Sequence, residues 1–425
     1  MKFLSLTPGT GSFYCGTCLR DNTLVAAMQG QGHDAALLPL YLAPTLDEAS
    51  TAAGMPLFYG GINVYLQQMI PLFRKTPRMV DRVFDSSPLL QIAASRASST
   101  QPRDLGDLTV STLRGEQGHQ AKELTRLIDW LRDAKPDVVC LSNALLVGLA
   151  KEIKRATGAR IVCTLQGEDG FLDSLPERDR TTAWEVLTER AADVDAFIAV
   201  SHYYAEVMTR RARLRADRVH VVWNGIALDG YAPASTPPEI PALGFFARMH
   251  PCKGLATLVD AFVLLRQNGR LGDLQLRIGG SMTTADAVFV NQQKKKLAAA
   301  GLANAVEFHP NLSRADKIAF LQGLTVLSVP ATYGESFGLY VIEALAAGVP
   351  VVQPRHAAFP ELLEATGGGL LCEPDDAQSL ATEVEQLLTE PERARELGDH
   401  GRQAVQAKFS AAQMAKDVLA VLENL

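Results

Sequence analysis

Short apolar runs alternate with stretches of helical periodicity along the whole chain. In the first half the runs Lys2–Thr7, Ala35–Tyr41, Asp137–Ser142, Arg160–Leu165, Ala196–Ser201 and His220–Trp223 read as strands. Segments such as Gln120–Ala134 and Thr182–Ala192 fall between them and read as helices. The second half repeats the plan, with strands at Leu243–Ala247, Leu274–Ile278, Val306–Phe308, Val326–Val329, Val349–Val352 and Leu370–Cys372. Such alternation predicts an α/β protein with two parallel sheets, helices on both faces of each. Between the halves lies APASTPPEIPA, residues 232 to 242, with four prolines in eleven residues. That density of proline continues neither a helix nor a central strand, so it reads as a linker. The expected domains are residues 1–235 and 236–408, followed by a separate helix at 409–425. The closing segment SAAQMAKDVLAVLENL is amphipathic, with Met414, Val418, Leu422 and Leu425 on one face and Ser410 as its N-cap. Residues 45 to 107 read as an insertion after the second strand.

Composition narrows the function classes. The chain has 425 residues, enough for two cores, with 47% hydrophobic and 21% charged residues. A net charge of −6 argues against broad nucleic-acid binding. No run of eighteen apolar residues spans a membrane. The start, MKFLSL, reads as a first strand and not as a signal peptide, so a cytoplasmic location is expected. Six cysteines over this length make no disulfide framework.

The densest chemistry lies in PATYGESFGLYVIEALAAGVPVV, residues 330 to 352. Glu335 and Glu343 are separated by seven residues. A helix starting near Gly338 puts Glu343 in its first two turns and Glu335 in the entry loop. Gly334 and Gly338 let the backbone approach a ligand, and a helix N-terminus favours anions. One segment thus offers two carboxylates for hydroxyl groups and a seat for a phosphate, as a sugar nucleotide requires. The string closely resembles the nucleotide-sugar motif of retaining glycosyltransferases of the GT-B fold, family GT4. Pro330, Glu335, Phe337, Gly338, Glu343, Ala344, Ala346, Gly348, Pro350, Val351 and Val352 match in order, with one residue inserted before Glu335 and Ala331 in place of the usual Ser. The resemblance implies two Rossmann-like domains facing a cleft, an acceptor domain followed by a donor domain, and a last helix that crosses back. It also implies that Glu335 holds the donor sugar's hydroxyls and Glu343 the ribose, with Phe337, Gly338 and Leu339 lining the donor seat.

Arg248 and Lys253 stand in GFFARMHPCKGL, where a strand gives way to a helix. Fixed cations there can stabilise the charge on a departing nucleoside diphosphate. The segment resembles the GT4 pattern G-R-x-x-x-x-K-G with Ala247 for the glycine, so Glu335, Arg248 and Lys253 are the expected catalytic residues. Lys253 is expected to be solvated without ligand, so its removal should spare the fold. No metal and no cofactor is expected beyond the nucleotide sugar as co-substrate, and no Asp-x-Asp pair stands at a strand end. Gly9 and Gly11 follow the first strand in a G-x-G-x-x-x-x-G spacing, unlike the dinucleotide fingerprint. By resemblance they close on the donor, although the usual Gly-Gly pair is missing there and a Gly-Gly occurs instead at Gly60–Gly61. In QGEDG, residues 166 to 170, Gln166 stands where many GT4 members carry histidine. Gln166, Glu168 and Asp169 are candidates for the acceptor, with Glu168 and Asp169 equally readable as caps of the next segment.

Cys15 and Cys18 form a C-x-x-C at the first helix. Simple packing beside the loop is preferred over a redox pair or half a zinc site, because no second C-x-x-C or His pair completes one. Asn224–Gly225–Ile226 reads as a hinge turn and Pro360–Glu361 as a helix start. Arg210, Arg211, Arg213, Arg215 and Arg218 could touch anionic lipid, a peripheral membrane contact, but a solvated helix end is preferred. The reading is a GT4-like transferase moving a sugar from a nucleoside-diphosphate sugar to an acceptor hydroxyl with its anomeric configuration kept. Its rivals are a phosphate-using sugar phosphorylase on the same fold and a non-catalytic nucleotide-sugar-binding module.

Overall fold

The computed structural model describes residues 1–9, 15–70, 73–74, 105–236, 238–269 and 271–425, with Gly61 and Ile62 as backbone only. Gly11 lies outside the described residues, as do residues 75–104 of the expected insertion. Two compact units emerge, one of Met1–Trp223 with Met414–Leu425, the other of Asn224–Gln413. The second unit thus begins at Asn224, ahead of the proline-rich stretch rather than within it. Ile226 explains why: its N–H bonds to the Phe409 carbonyl at 3.0 Å and its carbonyl accepts from Ala411 at 2.8 Å.

The first unit's described strands are β1 (Lys2–Thr7), β2 (Asp34–Pro39), β3 (Val138–Leu141), β4 (Arg160–Leu165), β5 (Ala196–Ala199) and β6 (Val219–Val221), all parallel, in the order β2-β1-β3-β4-β5-β6. The second unit carries β7 (Ala242–Phe246), β8 (Gln275–Gly280), β9 (Val306–Pro310), β10 (Val326–Leu327), β11 (Val351–Pro354) and β12 (Gly369–Cys372), in the order β12-β11-β10-β7-β8-β9. Helices connect the strands in both units. A parallel sheet covered on both faces needs apolar side chains on both sides of its strands. That is why β3, Val-Val-Cys-Leu, and β5, Ala-Phe-Ile-Ala, are buried throughout. The expected strands are all present, with ends shifted by up to two residues. The helix expected from Thr182 starts earlier, at Glu177. Pro176 precedes it and two acids, Glu177 and Asp179, occupy its first turn, where the helix dipole favours them.

The last helix, Ala411–Glu423, buries Met414, Ala415, Val418 and Leu422 among Phe3, Leu24, Met28, Val138, Val162 and Ile198 of the first unit. Each such Leu, Val or Met contributes about 1.5–3 kcal/mol when fully buried. Leu425 does not join them: it lies past the helix end and is 42% exposed. The Ser410 hydroxyl accepts from the Gln413 N–H at 3.2 Å, as expected of an N-cap. Among the described residues no helix is long and apolar enough to cross a membrane. In each sheet the order reverses once, between β1 and β3 and between β7 and β10. Ligands of open α/β sheets bind outside the carboxyl ends of the strands at such a reversal.

Candidate active site

The loops leaving β7 and β10 carry the residues singled out from the sequence. After β7 the chain passes Arg248 and makes a tight turn, Pro251–Lys253, before the helix Leu255–Gln267. Gly254 closes that turn at φ +75°, and a Cβ there would lie 1.7 Å from the Pro330 carbonyl oxygen. Only glycine lets this turn lie so close to the β10 loop. The Thr332 N–H bonds to the Cys252 carbonyl at 3.0 Å and ties the two loops together.

This contact delivers Lys253 to Glu335. The Lys253 ammonium donates to Glu335 Oε2 at 2.6 Å and to the Tyr333 hydroxyl at 2.5 Å. The Tyr340 hydroxyl donates to the same Oε2 at 2.8 Å. Glu335 is only 7% exposed. Burial pushes its carboxyl up, but the Lys253 charge and the bonds from Lys253, Tyr340 and Tyr333 outweigh it and hold it below the ordinary range. The site therefore keeps an ionised carboxylate out of water. An ammonium has three donors, so Lys253 has one more than its two described partners use. Beside this group, the helix Leu339–Ala346 begins at Gly338, which takes φ +94°. No side chain caps that end, and the first N–H groups of a helix have no intrahelical acceptor.

Glu343 sits in the second turn of the same helix. Its Oε1 accepts from Lys317 Nζ at 2.7 Å and from the Tyr231 hydroxyl at 3.2 Å. Arg248 places Nη2 and Nε at 3.2 and 3.4 Å from the Asp286 carboxylate. Burial raises Asp286, yet the bonds from Thr283 and Arg248 leave it lowered overall. The Cys252 thiol, pushed up mainly by burial, lies within electrostatic reach of Lys253, Glu335 and Arg248 alike. Lys253 and Glu335 thus form one ion pair, and Arg248 and Asp286 form another. Phe337 is buried and packs against Phe409, with ring centroids 6.2 Å apart. Its side chain serves the core. Leu339 is half-buried.

In the first unit, Glu168 turns inward. Its Oε1 accepts from the Ala144 N–H at 2.8 Å, and its Oε2 from Gln166 N, Gly167 N and the Tyr204 hydroxyl at 2.9, 3.0 and 2.8 Å. Those bonds satisfy the turn into the helix Glu168–Asp173, as the capping alternative expects, and burial pushes the Glu168 carboxyl up. Asp169 Oδ1 also meets the Tyr204 hydroxyl, at 3.0 Å, but its side chain is half-buried. The Gln166 amide points back to Thr164 Oγ1 at 3.5 Å. Gly9 takes φ +73°, and a Cβ there would lie 1.6 Å from the Leu42 carbonyl oxygen, so the fold itself requires this glycine. All six cysteines are free thiols. The hydrogen bond with Cys18 draws the Cys15 thiol down to about 7, and the same bond raises Cys18, which also receives Thr7 Oγ1 at 3.6 Å. Among the described residues no three His, Cys, Asp or Glu side chains gather to hold a metal ion. Three of the clustered arginines are tied down locally: Arg211 to Asp173, Arg215 to Asp217, and Arg218 to the carbonyls of Ala192 and Val194.

Residues 234–404 match the family described as Glycosyl transferases group 1, and residues 92–229 match Glycosyltransferase Family 4. The two matches together cover more than half of the chain. The chain belongs to the group 1 glycosyltransferases. Among its curated relatives are the MMP alpha-(1->4)-mannosyltransferase of Mycolicibacterium hassiacum, 26% identical over 55% of this chain and 55% of that protein, and the D-inositol 3-phosphate glycosyltransferase of Arthrobacter sp., 31% identical over 48% and 47%. The chain spans about half the length of the curated relatives it matches. Similar solved structures are the sucrose-phosphate synthase of Thermosynechococcus elongatus, with TM-score 0.73, 19% identity and coverage of 100% of this chain and 99% of that one. Anabaena HepE, solved with UDP and glucose, gives TM-score 0.71 and 18% identity with both chains fully covered at 100%. These likenesses show the GT-B fold.

Against that family background, five partner side chains escaped the sequence reading, Asp286 among them. Tyr333 and Tyr340 lie inside the family motif, two residues before and five after Glu335, and a buried carboxylate's need for donors was the available signal. Lys317 and Tyr231 carried no signal, since they lie on other segments and look like any lysine and tyrosine. One expectation needs correcting. Lys253 is not free in solvent without a ligand, because the buried Glu335 holds it.

Proposed function

We propose that this group 1 glycosyltransferase moves a sugar from a nucleoside-diphosphate sugar to an acceptor hydroxyl, keeping the anomeric configuration. The observation that carries the reading is the buried, ionised Glu335 held by Lys253 at the β7/β10 reversal, beside a helix N-terminus without a side-chain cap. A donor sugar presents hydroxyls to Glu335, and ribose hydroxyls meet Glu343. The diphosphate meets the helix N-terminus, the remaining donor of Lys253 and the Arg248 N–H groups that Asp286 leaves unused. During transfer the bond from the anomeric carbon to the diphosphate oxygen breaks and the bond to the acceptor oxygen forms on the same face. The acceptor's proton passes to the departing phosphate. Charge grows on that phosphate as it leaves, and the fixed cations stabilise it more than they stabilise the bound donor. On this reading no metal ion is needed at the diphosphate. Gln166 and Asp169, whose side chains are only half-buried, remain the candidates for the acceptor.

A thermal-shift panel of UDP, GDP, ADP and their sugars tests the donor class. A ligand at 100 times its Kd stabilises by about 2.7 kcal/mol, which moves the melting point of a unit this size by roughly 5–10 °C. One nucleotide series should shift the protein, and its sugar form should be consumed with release of the nucleoside diphosphate. No shift with any nucleotide would refute the assignment. Turnover that requires inorganic phosphate and no nucleotide would favour the phosphorylase.

A further inference from the structure

The two glutamates of the motif are held in similar ways. Each gives one carboxylate oxygen to a lysine and a tyrosine. Lys253 and Tyr340 meet Glu335 Oε2 at 2.6 and 2.8 Å, and Lys317 and Tyr231 meet Glu343 Oε1 at 2.7 and 3.2 Å. For Glu343 this clamp is assembled from three separate pieces of chain. Lys317 comes from the helix Arg314–Gln322, Tyr231 from the segment after Asn224, and Glu343 from the helix Leu339–Ala346. Lys317's side chain is only 7% exposed, an unusual position for a lysine. Arg314, one helical turn earlier, pins the Tyr231 segment by donating to the carbonyls of Ala227 and Asp229 at 2.8 and 3.2 Å, and its guanidinium lies 5.4 Å from the Tyr231 ring centroid. Glu343 Oε2 has no partner among the described residues.

A carboxylate on a flexible stem recognises a vicinal diol well only if its rotation is stopped. Two donors fixed on Oε1 stop it and leave Oε2 as the oxygen with acceptor capacity to spare. We propose that Lys317 and Tyr231 are positioning residues that aim Glu343 and thereby set the preference of the site for a ribose over a 2′-deoxyribose. The inference rests on the proposed role of Glu343 at the ribose. It goes beyond it by assigning the selectivity to a clamp outside the family motif.

The test uses the full chain and calorimetric binding of UDP, GDP and ADP, each against its 2′-deoxy counterpart. A hydrogen bond to a charged group is worth about 1.5–3 kcal/mol, so the wild type should prefer the ribose form of its nucleotide by about tenfold or more. Lys317→Met should bring that ratio below about threefold, and the milder Tyr231→Phe should lower it part of the way. A lysine that merely supported the fold would weaken both nucleotides equally and leave the ratio unchanged, which would overturn the proposal. Glu343→Ala separates the two levels of the claim. If it abolishes the preference while Lys317→Met and Tyr231→Phe keep it, the clamp is refuted and the ribose role stands. If Glu343→Ala leaves the preference intact, both fall. Should Lys317→Met not fold, Tyr231→Phe alone decides: an unchanged ratio refutes the clamp.

Discussion

Replacing Lys253 by alanine should damage both the chemistry and the fold, and the second effect has a distinctive pH signature. The ammonium lies 2.6 Å from Glu335 Oε2, with side chains 19% and 9% exposed. Removing one partner of a fully buried pair costs about 3–5 kcal/mol. Here Tyr340 keeps its bond to the carboxylate and the lysine is partly wet, so about 2–3 kcal/mol is expected. For a unit of this size that lowers the melting point by roughly 4–12 °C. In the wild type the Glu335 carboxyl is held low, so its stabilising contribution is present above the unfolded value and is lost as the pH falls through the folded one. In the variant the largest opposing charge is gone and burial raises the carboxyl instead. The variant then pays a penalty above the unfolded value of about 4.3 that disappears below it. The deficit in melting temperature should therefore be largest near pH 7–8 and shrink toward pH 4.5. Ligand-free full-length protein, melted across that range beside the wild type, measures it. Turnover should fall by about 10²–10³. A variant that melts like the wild type at every pH would refute the buried pairing, and near-normal kcat would remove Lys253 from the phosphate.

Glu343→Ala should raise the donor KM much more than it lowers kcat, because a ribose contact is made in ground and transition states alike; steady-state kinetics at saturating donor checks this. Turnover should survive EDTA, and complete loss restored by Mg²⁺ or Mn²⁺ would contradict the assignment of the diphosphate charge to Arg248, Lys253 and the helix end. Gly254→Ala forces a Cβ to 1.7 Å from a backbone oxygen at φ +75°, whereas Gly158→Ala meets nothing within 4 Å at φ +71°. Both incur the left-handed cost of about 1–2 kcal/mol, so the extra loss of melting temperature in the Gly254 variant, together with its loss of activity, reports how tightly the Lys253 turn rests on the β10 loop.

The fold was largely legible because parallel strands buried on both faces leave continuous apolar runs. Runs such as Val138–Leu141 and Ala196–Ala199 stand out without alternation. Strand ends were less so, since the ladder and not the local sequence decides where pairing stops. The unit boundary at Asn224 was missed because proline marks where regular structure breaks, while the boundary depends on Ile226 pairing with residues about 180 positions away. Leu425 followed the helical period, but its helix ends at Glu423. In the candidate site, Glu335, Glu343, Arg248 and Lys253 stood out in the sequence as charged residues of two recognisable motifs. Their partners did not. Asp286, Lys317 and Tyr231 reach the site from other elements, and no spacing connects them to it. Glu168 shows the converse: a glutamate just past a strand end looks the same in sequence whether it faces a sugar or, as here, four donors of its own protein.

The central claim is that residues 330–352 hold a nucleotide sugar, with Glu335 on the sugar. Calorimetric affinities of the wild type and Glu335→Ala for a nucleoside diphosphate and for its sugar form test it most directly. The account predicts that the wild type binds one sugar nucleotide more tightly than the bare nucleotide, and that Glu335→Ala loses this increment while still binding the nucleotide. An increment that survives in the variant, or a wild type that binds no nucleotide at all, would contradict it.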